Sequence, residues 1–358
     1  MSEIVVPPQF SRNGNTTHKG NVESIPDAEQ FSYGTAGFRF EAEKLPFLVF
    51  RCAYVASLRA RQLDSAIGVM ITASHNPAKD NGVKLVDPSG DMLNEMWEKY
   101  STEIVNATDA EFPEAVRRLE EQIVVRKTEN SRVVCGMDTR ESGPHLMEAA
   151  RAGAALFGVL FEDIGVVSTP ILHYVVKCHN EPKFAEPTKE AYYSAISGAF
   201  NELYRLTDEP EGSRYQNKIV LDCANGVGAP RFRDLLEKLD TGLLDVEFRN
   251  ETGELNHQCG ADYVKIRHLL PENFNSAESL PKCASFDGDA DRLIYFRPSA
   301  TSNAHAELFD GDKIAVLIAT YIREQLRVYD ASGPKERLRM GIVQTAYANG
   351  SSTRPAFS

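Results

Sequence analysis

The sequence has no C-x-x-C pair, no long apolar run and no excess of positive charge, and each absence narrows what it can do. Its six cysteines (Cys52, Cys135, Cys178, Cys223, Cys259 and Cys283) are scattered, several in apolar strand-like runs where cysteine acts as a small hydrophobe. That usage argues against a disulfide framework and for a reduced, cytoplasmic protein. No apolar stretch reaches bilayer length. Met1 to Phe10 lacks the basic-then-apolar order of a signal peptide. Lys and Arg number 39 against 51 Asp and Glu, a formal charge of −12. That sign excludes a bulk electrostatic grip on nucleic acid or anionic membrane, while leaving room for a local basic pocket around a small phosphorylated ligand. The sequence points to no protein partner.

Missing motifs exclude further chemistry. There is no Walker A loop, no G-x-S-x-G elbow and no histidine pair spaced for a metal on a helix face. Asn225-Gly226-Val227-Gly228 follows a strand-like run, but the dinucleotide fingerprint is incomplete. Its glycines are read as permitting a tight strand-to-helix turn.

What is present is an ordinary globular composition, 42% hydrophobic and 25% charged over 358 residues, enough for two or three domains. Residues 1–30 are polar and read as a loosely held tail. A largely apolar stretch from Leu45 to Leu63 reads as a buried helix. After it a pattern recurs, in which an apolar run ends in a polar or Gly-containing turn and usually a helix follows. The runs are Ile67–Ile71, Arg132–Met137, Lys218–Cys223 and Cys283–Phe286, with helices expected over 144–158, 188–206, 230–239 and 312–327 and a last strand over 340–345. Asn81-Gly82 reads as the hairpin turn that folds Val83-Lys84-Leu85 back on the first strand. The alternation predicts an α/β fold of tandem units with mixed sheets and helices on both faces, with ligands at the carboxyl ends of strands. Domain boundaries are expected at 1–190, 191–297 and 298–358, the last unit being too small to bury its own core.

Two turns carry the chemistry. Thr72-Ala73-Ser74-His75-Asn76-Pro77 follows the first run and offers a hydroxyl. Ser74 can be a plain turn former; a hydrolase triad is disfavoured because adjacent Ser and His seldom orient as nucleophile and base. Lys84, folded back toward it, would suit a phosphorylated serine. Asp287-Gly288-Asp289-Ala290-Asp291-Arg292 follows the last run. Its three alternate carboxylates are either a solvated acidic turn or an oxygen-only site for Mg²⁺. An EF-hand is excluded, because the sixth position is Arg292 and the twelfth is Pro298. A serine and a hard-cation site together suggest phosphoryl transfer.

These two turns, with Tyr33-Gly34-Thr35-Ala36-Gly37-Phe38-Arg39, Asp80-Asn81-Gly82-Val83-Lys84-Leu85, Asp138-Thr139-Arg140 and Ser168-Thr169-Pro170, resemble the α-D-phosphohexomutase family. The segments Asp222–Ala229, Leu255–Lys265 and Val343–Gly350 are similar to its eukaryotic branch acting on N-acetylglucosamine phosphates, and the likeness runs from about Tyr33 to Arg354. The resemblance implies interconversion of N-acetylglucosamine 6-phosphate and 1-phosphate, a step toward UDP-N-acetylglucosamine. It implies a phosphoserine at Ser74 and a hexosamine bisphosphate as intermediate. One Mg²⁺ would be held by Asp287, Asp289, Asp291 and an oxygen of phospho-Ser74. His75, Lys84 and Arg39 would be acid/base or phosphate-facing groups, with Arg292 and Arg140 as further phosphate anchors. Four domains are typical of the family; this chain is expected to hold two and the start of a third, without the fourth. A catalytically impaired form lacking the sugar and phosphate loops, acting as a binding fragment or doing nothing, is the alternative.

Overall fold

The computed structural model describes residues 5–35, 37–125, 130–207, 216–275, 282–299, 304–333, 336, 338–343 and 348. Within them the chain forms β1 (Phe38–Glu41), α1 (Pro46–Leu63), β2 (Ala66–Ile71), β3 (Asp80–Val86), α2 (Glu95–Asn106), α3 (Phe112–Gln122), β4 (Arg132–Met137), α4 (Gly143–Ala155), β5 (Leu160–Val166) and α5 (Thr169–Asn180). It continues with α6 (Lys189–Arg205), β6 (Lys218–Asp222), α7 (Gly228–Leu236), β7 (Asp245–Arg249), α8 (Ala261–Arg267), β8 (Cys283–Phe286), β9 (Leu293–Pro298), β10 (Ala306–Phe309) and α9 (Gly311–Ala331). The α/β character and the four strand-like runs read from the sequence are as expected.

The strands make two five-stranded mixed sheets, ordered β1-β3-β2-β4-β5 and β10-β9-β8-β6-β7. In the first, β2, β4 and β5 run parallel and β3 returns antiparallel beside β2. In the second, β6, β7 and β8 run parallel and β9 returns antiparallel beside β8. The same switch thus occurs twice, and the loop that makes each switch is one of the two chemical turns.

Burial on both faces explains the near-continuous apolar strands. In β2, Ile67, Val69 and Ile71 join the core shared with α1 and α4, while Ala66 and Met70 face the cluster of Ile171, Leu172, Val175 and Val176 on α5. Around the second sheet, Val220, Cys283 and Ile294 pack with Ala261 and Val264 of α8, and Leu221 and Ala284 with Ala229 of α7.

Three expectations need correction. The amino-terminal segment is no loose tail: Phe10, Arg12 and Ile25 are buried, and Arg12 donates to the carbonyls of Val105, Pro26 and Glu29. Arg51, inside α1, donates to the last carbonyls of α2, at Ile104 (3.2 Å), Val105 (3.0 Å) and Ala107, and pairs with Asp109 at 3.0 Å. Burial pushes the Arg51 pKa down to about 10, and Asp109 opposes that shift. Arg12 from the polar segment and Arg51 from α1 therefore cap, from buried positions, a helix terminus whose carbonyls lack partners in the helix.

Second, Asn81-Gly82 is not the hairpin turn. The turn is the longer loop over 72–79, and Asn81 and Gly82 lie within β3, paired with Phe40 and Arg39 of β1. A glycine is needed there for space, since a Cβ at Gly82 would stand 2.4 Å from the Phe38 carbonyl oxygen and 2.6 Å from that of Thr72. Third, Met340–Val343 do not form the strand expected over 340–345, and its last two residues lie outside the described ones. Among the described residues, no helix is long and apolar enough to cross a membrane.

Candidate active site

The two switch loops meet. Thr72 leaves β2 and takes a structural post: its hydroxyl donates to Asp138 Oδ2 at 2.7 Å, and its oxygen accepts the Ser74 amide at 2.9 Å. Ser74 itself sits at φ 51°, a left-handed conformation that L-residues hold only when their surroundings fix it. The fixing groups are Arg140 and Asn256. Arg140 donates through Nη1 to the carbonyls of Pro77 and Asp80, both at 2.7 Å. Its Nη2 donates to those of Ser74 (3.1 Å) and Asn76 (3.0 Å), and its Nε to Asp138 at 3.1 Å. From the second unit, Asn256 Nδ2 donates to the Ser74 carbonyl at 2.8 Å and to that of Asn76 at 3.1 Å.

Arg140 is engaged differently from the phosphate anchor expected of it. Its five N–H groups are all engaged inside the protein, and its side chain is fully buried. It builds the serine turn and has no donor left for a substrate phosphate.

So held, Ser74 Oγ donates to Asp287 Oδ2 at 2.6 Å and accepts from Arg292 Nη2 at 3.2 Å. The acidic loop approaches this closely because Gly226 and Gly288 let two backbones touch. A Cβ on Gly226 would stand 2.5 Å from the Gly288 carbonyl oxygen, and one on Gly288 would stand 2.6 Å from that of Ser74. The Asn225–Gly228 turn is therefore a turn, as expected, but its positive φ falls on Ala224 and Asn225, and its first glycine serves close approach.

One carboxylate oxygen from each of Asp287, Asp289 and Asp291 lies within 4.8 Å of the others. Asp287 and Asp289 are buried. Burial is the first cause that raises both their pKa values, followed by Asp291 for Asp287 and by Asp287 for Asp289. Among the described residues, Asp289 Oδ1 is a buried oxygen with no hydrogen-bond partner. Ser74 also faces Asp289, but its single hydroxyl proton goes to Asp287. Three convergent carboxylates with one orphaned oxygen are the donor set of a hard divalent cation, so the residues fit Mg²⁺.

Cations ring this acidic pocket. Lys84 Nζ stands 3.3 Å from Asp291 and 3.9 Å from Asp289, so it faces the acidic loop rather than the serine turn itself. Arg292 holds Asp287 through Nε at 3.0 Å and Asp262 through Nη1 at 2.8 Å. Its Nη2 also meets His75 Nδ1, and Arg39 Nη1 stands 3.4 Å from the same nitrogen. Two guanidinium groups facing Nδ1 make it an acceptor. Burial lowers the His75 pKa, and Arg292 and Arg39 lower it further against Asp262. These neighbours favour the neutral form of the His75 imidazole, whose Nε2 stands 3.6 Å from Asp262.

Ser74, His75, Lys84, Arg39, Arg292 and the three aspartates therefore converge, and Arg140 stands behind them. Sequence reasoning gave no role to Thr72, Asp138, Thr169, Asn256 and Asp262. All five lie inside motifs quoted above, so the signal was there without the contact partner.

Three family descriptions match the sequence. Phosphoglucomutase/phosphomannomutase, alpha/beta/alpha domain I, covers residues 51–113 and 105–185. Phosphoacetylglucosamine mutase AMG1, domain II, covers 184–294, and its domain III covers 310–355. The phosphoacetylglucosamine mutase of Sus scrofa is 43% identical over 331 residues, which is 92% of this chain and 59% of that protein. That of Homo sapiens is 42% identical over 344 residues, 95% of this chain and 61% of that protein. The chain thus spans about three fifths of the length of these curated relatives. Among solved structures, an apo-form N-acetylglucosamine-phosphate mutase of the α-D-phosphohexomutase superfamily superposes with TM-score 0.80 at 40% identity, over 92% of this chain and 70% of that one. The Aspergillus fumigatus N-acetylphosphoglucosamine mutase in complex with GlcNAc-6P and magnesium gives TM-score 0.79 at 40% identity, over 92% and 61%.

Proposed function

The chain belongs to the phosphoacetylglucosamine mutase branch of the α-D-phosphohexomutase superfamily, and on that premise we propose that Ser74 is its phosphoryl carrier. The observation that carries this reading is the position of Ser74 Oγ, 2.6 Å from Asp287 and 3.2 Å from Arg292, at the mouth of the acidic triad. A hydroxyl placed between a guanidinium and a cation site is where a phosphoryl group finds its charge neutralised.

The reaction this supports interconverts N-acetylglucosamine 6-phosphate and N-acetylglucosamine 1-phosphate. The free sugar hydroxyl attacks phosphorus on phospho-Ser74, the bond to Oγ breaks, and the hydroxyl proton leaves to a neighbouring base. The resulting hexosamine bisphosphate turns around and returns its other phosphoryl group to Ser74 Oγ. Relatives support that route: the Aspergillus fumigatus enzyme has been crystallised, as a serine-to-alanine variant, with glucose 1,6-bisphosphate. Asp287, Asp289 and Asp291 would hold Mg²⁺, which when bound supplies neutralisation of charge on the transferring group.

The chain's own residues do the rest. Arg292 steadies Asp287 and presents Nη2 to the oxygen that carries phosphate. Lys84 and Arg39 line the approach for phosphate oxygens, and His75 can take or return a proton near the Ser74 hydroxyl. In its cell this activity would serve UDP-N-acetylglucosamine formation in the cytoplasm. A coupled assay for N-acetylglucosamine 1-phosphate formed from the 6-phosphate tests the reading. Turnover that Ser74→Ala abolishes is expected; turnover no greater than that of the Ser74→Ala protein contradicts it.

A further inference from the structure

Thr169 opens α5 in the first unit, yet its two donor groups both address a residue of the second. Its hydroxyl donates to Asp289 Oδ2 at 2.6 Å, and its amide donates to the Asp289 carbonyl at 3.1 Å. The amide is one of the first-turn N–H groups that a helix leaves without an internal partner, and the next residue, Pro170, brings no N–H at all. The N-terminal end of α5 is also the end at which a helix favours negative charge. Thr169 is itself buried, which shields its short hydroxyl bond from solvent.

The consequence lies on the other oxygen. Asp289 has two: Oδ2 is occupied by Thr169 and faces Lys84 at 3.9 Å, whereas Oδ1 is buried without a hydrogen-bond partner among the described residues. We propose that Thr169 is a positioning residue that fixes the rotamer of Asp289 from the opposite unit and thereby presents Oδ1 to the cation. The inference rests on the reading of the triad as a Mg²⁺ site. It assigns a task to the Ser168-Thr169-Pro170 segment, and it makes the cation site dependent on both units rather than on the acidic loop alone. Without the hydroxyl, the carboxylate is free to rotate, and its outer oxygen no longer has a proton to accept. Loss of such a supporting hydrogen bond typically costs about 10- to 100-fold in metal affinity.

The test is calorimetric titration of Mg²⁺, repeated with Mn²⁺, into the metal-free full chain. Wild type, Thr169→Val, Thr169→Ser and Asp289→Ala are compared, with Thr169→Val also placed in the Asp289→Ala background. Thr169→Val is expected to raise the Kd by about tenfold or more, and Thr169→Ser, which keeps the hydroxyl, to bind like wild type. In the Asp289→Ala background Thr169→Val is expected to change nothing further, because its effect runs through that carboxylate. If Thr169→Val does not fold, Thr169→Ala takes its place in every comparison. Wild-type binding together with unchanged binding after loss of the hydroxyl overturns the role of Thr169 and leaves the metal site standing. An equal loss in the Thr169→Ser protein, or a further loss in the Asp289→Ala background, overturns it as well. No binding by wild type overturns both this inference and the metal reading beneath it.

Discussion

The hydroxyl of Ser74 donates to Asp287 Oδ2 at 2.6 Å across 213 positions of sequence, joining the switch loop of one sheet to that of the other. Asp287 also accepts from the Arg292 amide at 3.1 Å and from its Nε at 3.0 Å. Replacing Asp287 with Ala therefore removes a proposed cation ligand and leaves Arg292 paired with Asp262 alone among the carboxylates within 3.0 Å. A rise in Mg²⁺ Kd of at least about tenfold is expected, equivalent to about 1.4 kcal/mol. Calorimetric titration checks it, and an unchanged Kd would remove Asp287 from the site.

Arg140 provides a prediction that separates turn-building from phosphate binding. A lysine offers three donors from one point, not five from a planar fork, and cannot reach four carbonyls and Asp138 together. Arg140→Lys should cost about 1–3 kcal/mol in stability, the range for buried polar groups left unsatisfied. Amide hydrogen exchange should accelerate over 74–80. A variant with wild-type stability and exchange but weakened sugar-phosphate binding would restore the arginine to the phosphate-binding set.

Arg51 tests the buried capping of α2 from α1. Arg51→Met leaves the carbonyls of Ile104, Val105 and Ala107 and the carboxylate of Asp109 without the guanidinium that now serves them. Removing one partner of a buried charged cluster costs about 3–5 kcal/mol. Urea denaturation should register that loss, while Mg²⁺ affinity of the folded fraction stays at the wild-type value. A loss below about 1 kcal/mol would show that the caps carry no such load.

Gly226→Ala probes the contact between backbones. The new Cβ would meet the Gly288 carbonyl oxygen at 2.5 Å, and a backbone atom cannot swing aside as a side chain can. Overpacking of this kind costs about 1–3 kcal/mol. The strain falls on the loop that carries the triad, so Mg²⁺ affinity should fall with stability. Unchanged affinity would mean that the loop yields freely.

How far the sequence could be read depends on where each fact is stored. The serine and aspartate turns were legible because their chemistry is contiguous and each follows an apolar run. The mixed sheets followed from the same runs. A motif arginine such as Arg140 looks alike in sequence whether it meets substrate or carbonyl oxygens, and its five internal bonds come only from the fold. Asn81-Gly82 carries a genuine turn signal, but pairing with β1 and the Phe38 and Thr72 carbonyls overrides local preference. The polar amino-terminal segment concealed Arg12, whose partners at Val105, Pro26 and Glu29 come from fold, not from spacing. Thr169 was in view as part of a motif, and its partner 120 positions away was not.

The central claim is that Ser74 accepts and returns phosphate, and intact mass measures it most directly. Incubated with a hexose 1,6-bisphosphate and Mg²⁺, the wild-type chain should gain the mass of a single phosphate, mapped by peptide sequencing to Ser74. The Ser74→Ala chain, and the wild type with Mg²⁺ chelated, should gain none. No added mass in the wild type, or the same added mass in Ser74→Ala, would contradict the account.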